Sequence, residues 1–330
     1  MSFWKGKRVL ITGATGLVGS WLTKALIESQ AYVAILLRDH DPQSEFFRSG
    51  VSEKTSIVQG VLEDCQTLER AINDHEIDTV FHLGAQTIVG AAFRQPLATF
   101  EANIRGTYNL LEACRRQSSL VKRIVIASSD KAYGSSDVLP YTEEMPLNGR
   151  HPYDVSKSCG DLIALTYFNT YQLPLVIARC GNIFGGGDLN WSRLIPGTIR
   201  SFLNQEAPII RSDGQFTRDY VYVEDAVHAY MLLGEHLIKS SIQGEVFNFG
   251  PNQPYSVLQI VKAIQKCMGL DIDPVIANLA KGEIQHQSLD CSKARHVLNW
   301  NPQFSLEEGL VSTIQWYEHY FSKQPILSLS

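Results

Sequence analysis

Apolar residues in the first half of the chain fall in short unbroken runs. These are RVLITG (8–13), YVAILLR (32–38), TSIVQG (55–60), TVFHLGA (79–85), RIVIAS (123–128) and LPLVIAR (173–179). Val- and Ile-rich runs that do not alternate with polar residues predict parallel strands buried on both faces. Helical spacing fills the gaps: Leu17 to Glu28, a stretch around Leu68–Asn73, a long stretch ending at Arg116, and about Tyr153 to Tyr171. Strands alternating with helices predict an α/β fold with a doubly wound parallel sheet. After Asn182 the alternation breaks up. RLIPGTIRSFL and SLEEGLVSTIQWYEHYF read as separate amphipathic helices, and the short run VFNFG (246–250) lies between them. The pattern predicts a nucleotide-binding domain over 1–182 and a smaller, mainly substrate-binding lobe over 183–330. The two are interleaved, with a later strand near 245–250 and no linker.

Composition narrows the function. The chain has 330 residues, 44% of them hydrophobic, enough for a substantial core. A net charge of −5 leaves no basic footprint for nucleic acid. No apolar run approaches the roughly 18 residues that would cross a bilayer. Met1–Lys7 leads straight into a strand, unlike a signal peptide. The six cysteines (Cys65, Cys114, Cys159, Cys180, Cys267 and Cys291) form no CxxC pair and stand near no histidine cluster. They are expected to be reduced thiols in a cytoplasmic protein without a metal.

Three motifs carry chemistry. Gly13, Gly16 and Gly19 form G-x-x-G-x-x-G between the first strand and its helix. Glycine there permits a tight turn, close approach to a pyrophosphate and helix–sheet packing, the signature of a Rossmann-type dinucleotide site. The second strand ends in Arg38 followed by Asp39. An Arg there favours the 2′-phosphate of NADP and an acid favours the ribose of NAD, so the cofactor is NADP or NAD, with Arg38 tilting towards NADP. Tyr153 and Lys157 stand four apart at a helix start, on one face. A phenol's pKa of about 10 is too high for a base at neutral pH, and a neighbouring ammonium and an oxidised nicotinamide are expected to lower it. The fifth strand ends in Ser128-Ser129, followed by the charged pair Asp130-Lys131.

Together these motifs resemble the extended short-chain dehydrogenase/reductases that act on nucleotide sugars. The resemblance runs through GATGLVG, HLGAQ (82–86), EANIRGTYNLLEA (101–113), SSDKAYG, YDVSK, RCGNIFGGGD (179–188), RLIP (193–196), RDYVYVED (218–225) and LNWNP. It implies cofactor contacts from Thr15, Leu17, Val18, Asp64, Leu83, Ala85, Gln86 and Asn103, beside the glycines, Arg38, Tyr153 and Lys157. It implies substrate contacts from Gln86, Asn182, Arg193, Leu194 and Arg211, with Arg218 pairing with the diphosphate. It also implies a homodimer formed through helices near 94–116 and 153–171.

In the 4,6-dehydratase subgroup the fifth strand ends Thr-Asp-Glu, and here Ser129-Asp130-Lys131 stands in that place. Ser keeps the hydroxyl, and Asp-Lys resembles the CDP-glucose 4,6-dehydratases. The resemblance implies that Ser129 assists Tyr153 at the C4 hydroxyl, that Asp130 is the acid for the C6 hydroxyl, and that Lys131 is the base or enolate stabiliser at C5. A 4-epimerase or 4-ketoreductase would need Ser129, Tyr153 and Lys157 but not the pair, which would then be a surface ion pair. A non-catalytic NADP-binding regulatory protein would often lack the Tyr or the Lys.

Overall fold

The computed structural model describes residues 2–238, 240–279 and 284–322. Six of the expected strands form: β1 (Arg8–Thr12), β2 (Tyr32–Leu37), β3 (Ser56–Gln59), β4 (Thr79–His82), β5 (Arg123–Ser129) and β6 (Leu175–Cys180). With the later strand Val246–Phe249 they make a seven-stranded parallel sheet, ordered Val246–Phe249, β6, β5, β4, β1, β2, β3. The order reverses at β1, between β2 and β4. A crevice opens there at the carboxyl ends of the strands, the usual ligand position of a doubly wound sheet.

The unbroken apolar runs are explained by the two faces of the sheet. Val9, Ile11, Val33, Ile35 and Val125 pack with Leu22 and Leu26 of helix α1 (Leu17–Glu28) and with Val227 and Leu233. Leu10, Ala34, Leu36, Val80 and Ile124 face the other way. They meet Leu68 and Ile72 of the Cys65–Asp74 helix, Leu110 and Leu111 of Gly106–Arg116, and Ala164 of Pro152–Tyr171. The helix Val223–His236, not anticipated from the sequence, lies in the same layer as α1. The chain thus returns to the nucleotide layer three times after residue 182, through Val223–His236, Val246–Phe249 and the helix Ser292–Leu298. The rest of the second half builds its own core from Ile195, Ile199 and Phe202 of the Leu194–Leu203 helix, Ile260 and Ile264 of Val257–Met268, and Leu310 and Tyr317 of Leu306–Ser322. Among the described residues no helix is long and apolar enough to cross a membrane.

The long helical stretch ending at Arg116 is not one helix. It divides into Val89–Arg94, Pro96–Phe100, a π-helical turn Glu101–Arg105 and Gly106–Arg116. Pro96 cannot continue the preceding helix, since it lacks an N–H and clashes with the turn before it. The π-turn carries Asn103 into the protein, where it is buried. Such turns are frequent at functional sites.

A buried pair locks the sheet to the helix of the Tyr-x-x-x-Lys motif. Arg179 Nε on β6 donates to Asp161 Oδ2 at 2.8 Å, and both side chains are almost wholly out of water. Arg179 Nη1 also donates to the Tyr133 hydroxyl, which in turn donates to Asn248 Oδ1. Removing one partner of such a pair strands a buried charge, typically at a cost of about 3–5 kcal/mol. Asp161→Ala is therefore expected to lower unfolding stability by about that amount in urea titration. A loss below about 1 kcal/mol would mean that Arg179 finds other partners or water.

Candidate active site

The crevice is a cleft of about 1580 Å³ running from the glycine turn to the second lobe. At one end, Gly13 adopts φ +77°, and a Cβ there would stand 2.7 Å from Gly84 N. At Gly19 a Cβ would stand 2.1 Å from the Gly13 carbonyl oxygen, so the helix can approach the turn only without a side chain. No side chain caps α1, and Gly16, Leu17, Val18 and Gly19 line the cleft beside Thr15. The first-turn N–H groups of a helix are free to bind an anion. Leu83 and Ala85, just after β4, close the same end, and Arg38 and Asp39 follow β2. This cradle fits a dinucleotide: the close-packed backbone at Gly13 and Gly19 shapes a pyrophosphate turn.

The Arg38 guanidinium is not free. Its Nε donates to Asp39 Oδ2 at 2.5 Å, with both side chains exposed. Asp64 does not line the cleft. Its carboxylate caps the Cys65–Asp74 helix, accepting from Gln66 N and Thr67 N, and the hydrogen bonds from Thr67 hold its pKa below the usual carboxylate range. Val61, Leu62 and Glu63 take its place on the wall. Gln86 and Asn103 also stand back. The Gln86 side chain accepts from Ile88 N, and the Asn103 amide clamps the Gln86 backbone in both directions and donates to Ser156 Oγ at 2.8 Å. These two residues shape the loop rather than the wall.

In the middle of the cleft stand Ser129, Lys131, Tyr153, Asp154 and Lys157. Ser129 ends β5 and caps the 3-10 turn Asp130–Tyr133, accepting from Lys131 N. Gly134 ends this turn at φ +70°, where a Cβ would lie 1.9 Å from the Asn148 carbonyl oxygen. The charged pair is not a surface pair. Asp130 is 1% exposed. It accepts from Ser129 Oγ at 2.9 Å and from Lys131 Nζ at 3.1 and 3.3 Å. Lys131 Nζ also reaches Asn182 Oδ1 at 3.4 Å. Lys131 lies on the wall, and Asp130 sits behind it.

Burial dominates the electrostatics. It lowers the Lys131 pKa from the usual lysine value, against the opposing charge of Asp130 and with help from Arg218. It pushes Tyr153 up to about 12. The charge that most lowers Tyr153 is Arg193, and the Ser129 hydroxyl assists through a hydrogen bond. The expected lowering of the Tyr153 pKa by Lys157 is therefore corrected. Lys157 Nζ donates to the Ala127 carbonyl at 2.8 Å, and its own pKa falls to about 8 through burial.

At the far end, Arg193, Leu194, Arg211 and Arg218 line the cleft with Asn182. Arg193 pairs with Asp188 Oδ2 at 2.8 Å and donates to Thr87 Oγ1. Arg211 donates to the Ser192 carbonyl at 3.4 Å. Arg218 is spent on backbone carbonyls of Thr217, Gln285 and Ile284. Asp154, Asp188 and Trp191 also line the cleft but were not singled out from the sequence.

A parallel sheet with this crevice, glycine turn and Ser-Tyr-Lys set defines a nicotinamide-nucleotide enzyme of the extended short-chain dehydrogenase/reductase class. The chain belongs to the GDP-mannose 4,6 dehydratase family, whose sequence profile matches residues 10–313. It is 31% identical to a CDP-glucose 4,6-dehydratase of Salmonella typhimurium, covering 100% of this chain and 95% of that protein. A UDP-glucose 4-epimerase of Lactobacillus helveticus is 29% identical, with 95% and 98% covered. Among solved structures, the UDP-glucose 4-epimerase of Thermotoga maritima with UDP-glucose superposes with a TM-score of 0.86 at 28% identity, covering 95% of this chain and 99% of that one. A dTDP-glucose 4,6-dehydratase of Bacillus anthracis in complex with NAD gives 0.82 at 26% identity, with 95% and 97% covered.

One buried network ties the end of β1, before the glycine turn, to the helix that carries Tyr153. Thr12 Oγ1 bonds His82 Nδ1 at 2.9 Å, and His82 Nε2 bonds Thr107 Oγ1 at 3.0 Å. Thr107 donates to the Asn103 carbonyl, and Ser156, which accepts from Asn103, donates to the Tyr153 carbonyl. Since Thr107 spends its hydrogen on Asn103, His82 must carry its proton on Nε2 and accept at Nδ1. Burial, then the charge of Lys157, lowers the His82 pKa from 6.5 to about 3. Below pH 6.5 the unfolded chain therefore binds a proton that the native state refuses, and stability falls with pH. Between pH 7 and 5 this loss is about 2 kcal/mol, and His82→Asn should remove it. Denaturant midpoints at both pH values check the expectation. Equal slopes in the two proteins would show that His82 protonates in place.

Proposed function

We propose that the protein is a nucleotide-sugar 4,6-dehydratase converting an NDP-hexose to an NDP-4-keto-6-deoxyhexose, most similar in its charged pair to the CDP-glucose enzymes. The observation that carries the reading is the buried Asp130–Lys131 pair beside Ser129 and Tyr153. Oxidation at C4 alone needs a hydroxyl, a phenol and a lysine. Elimination across C5 and C6 needs a further base and acid, and the pair supplies an amine on that wall with a carboxyl directly behind it. A nicotinamide bound in the glycine half would take hydride from C4 and return it at C6.

Tyr153 takes the C4 hydroxyl proton, with Ser129 hydrogen-bonded to the same group. For this its phenol must be brought down from about 12, and Arg193 and the cofactor's positive ring act in that direction. The C4 ketone acidifies the C5 hydrogen. Lys131 removes it, helped by burial that favours the neutral amine. Arg193, Arg211 and Arg218 suit a diphosphate, with Arg218 exchanging backbone carbonyls for phosphate oxygens. Exposed Leu97, Tyr108 and Leu162 on the helices near 94–116 and 153–171 support a homodimer. Six free cysteines support a cytoplasmic enzyme.

A 4-epimerase is the second reading, favoured by the epimerases among the relatives and neighbours. Incubation with CDP-, dTDP-, UDP- and GDP-hexoses, followed by mass spectrometry, separates the two. The expected product is lighter by one water, and Tyr153→Phe should slow its formation by about 10²–10⁴-fold while the protein stays folded. A product of unchanged mass with an inverted C4 would replace the dehydratase by the epimerase.

We infer NADP as the preferred cofactor, since a 2′-phosphate can compete with Asp39 for the Arg38 guanidinium. Relatives solved with NAD leave NAD as the alternative. A charge-assisted hydrogen bond is worth about 1.5–3 kcal/mol, so Arg38→Ala should weaken NADP about 10-fold or more while barely changing NAD. Equal losses in a fluorescence titration, or tighter NAD binding by the unaltered protein, would sink the preference.

A further inference from the structure

Dehydration leaves a proton in the wrong place. On the dehydratase reading Tyr153 gains a proton from the C4 hydroxyl in each turnover, and Asp130 loses one to the C6 hydroxyl as water departs. Lys131 ends as it began, since it takes a proton from C5 and gives one back to C5 when hydride enters C6. The C4 ketone stays in the product, so no step of the reaction takes the proton off Tyr153 again. A 4-epimerase has no such imbalance, because reduction at C4 returns the proton to the sugar. Before a dehydratase can turn over again, one proton must move from Tyr153 to Asp130.

Both ends of that path are out of water. Tyr153 is buried, and Asp130 is 1% exposed. Among the described residues, the Asp130 carboxylate is held by the side chains of Ser129 and Lys131. Ser129 reaches both ends. Its Oγ donates to Asp130 Oδ1 at 2.9 Å, and it hydrogen-bonds the Tyr153 phenol. A serine hydroxyl has one hydrogen and two lone pairs. The hydrogen is spent on Asp130, and one lone pair accepts from Lys131 N at 3.3 Å. The second lone pair is left for the Tyr153 hydroxyl hydrogen. The donors thus run in one direction, from Tyr153 through Ser129 to Asp130.

We propose that Ser129 returns the proton from Tyr153 to Asp130 at the end of each turnover, closing the proton cycle inside the site. This role rests on the dehydratase reading. The Tyr153 O–H bond breaks as its hydrogen binds Ser129 Oγ. The hydrogen that Ser129 already carries leaves Oγ and binds Asp130 Oδ1. Ser129 keeps one hydrogen throughout, Tyr153 ends as the phenolate and Asp130 as the carboxylic acid, and no electrons are exchanged with a co-reactant. Two changes favour the shift at that moment. Hydride return to C6 restores positive charge on the nicotinamide, which favours the phenolate. Lys131 has just protonated C5 and is neutral, so the buried Asp130 charge stands without its cation until the proton arrives.

The plainer role for Ser129 is help to Tyr153 at the C4 hydroxyl alone, which an epimerase would share. The test is steady-state dehydration of an NDP-hexose at rising imidazole concentration, with pH and ionic strength fixed. The unaltered enzyme should be indifferent to imidazole. Ser129→Ala should lose turnover about 10²–10⁴-fold and regain about tenfold or more as imidazole, entering the open cleft between substrates, carries the proton instead. Ser129→Thr keeps the hydroxyl, so it should remain indifferent to imidazole and retain most of the turnover. If the Ala variant does not fold, Ser129→Gly carries the comparison. Turnover of the Ala variant at the unaltered rate would overturn the relay. So would a slow variant that imidazole does not rescue, or an unaltered enzyme that imidazole accelerates. An unaltered enzyme that forms no product lighter by one water would overturn the dehydratase reading itself, an outcome distinct from a failure at Ser129.

Discussion

The buried pair between Arg179 and Asp161 is the contact on which the site depends. Arg179 comes from β6 and Asp161 from the helix that carries Tyr153 and Lys157. Through Tyr133 the same guanidinium reaches the turn that carries Asp130 and Lys131, and through Asn248 it reaches the last strand of the sheet. Four segments far apart in the chain thus meet at one charge. A buried ion pair is weak evidence for net stability, because desolvation offsets much of its attraction. Its value here is geometric. The turn, the helix and the sheet cannot shift separately without leaving a charge unpaired in a dry interior.

That rigidity lets burial set the chemistry. Tyr153, Lys131 and Lys157 are each shifted mainly by loss of water, in the direction that favours the neutral form. For Lys131 this suits the proposed role, since a neutral amine can act as a base. For the tyrosine it is a barrier that positive charge must overcome. Arg193 supplies part of that charge and is itself held by Asp188. If Arg193 binds substrate phosphate as proposed, substrate binding and activation of Tyr153 would be coupled through one guanidinium.

The sheet was legible in the sequence because each buried strand must be apolar on both faces, and six unbroken runs met that demand. The glycine turn and the Tyr-x-x-x-Lys spacing were legible for similar reasons, since few residue types satisfy a tight turn or share one helix face. The π-turn at Glu101–Arg105 was not, because nothing in EANIR breaks a helical pattern. Its cause is tertiary: Asn103 is drawn in to clamp the Gln86 backbone. Asp64 misled for a local reason. An acid just before a helix can bind a ligand or cap the helix, and capping won. Arg218 and Arg38 were recognisable as cleft residues, but not the carbonyls and carboxylate that hold them.

The fold itself does not choose between dehydration and epimerisation, for solved structures of both kinds superpose on this chain about equally well. Function on such a scaffold is decided by a few side chains. Here the choice lies within one 3-10 turn and the first turn of the helix beside it. Ser129 and Tyr153 would serve any C4 oxidation. What is added is the buried Lys131 on the cleft wall, with its partner Asp130 behind it. Burying such a pair costs desolvation that its attraction only partly repays, so its place beside the cleft asks for a chemical use. The proposed 4,6-dehydration would supply that use, since it removes a proton from the sugar and returns one to the leaving oxygen.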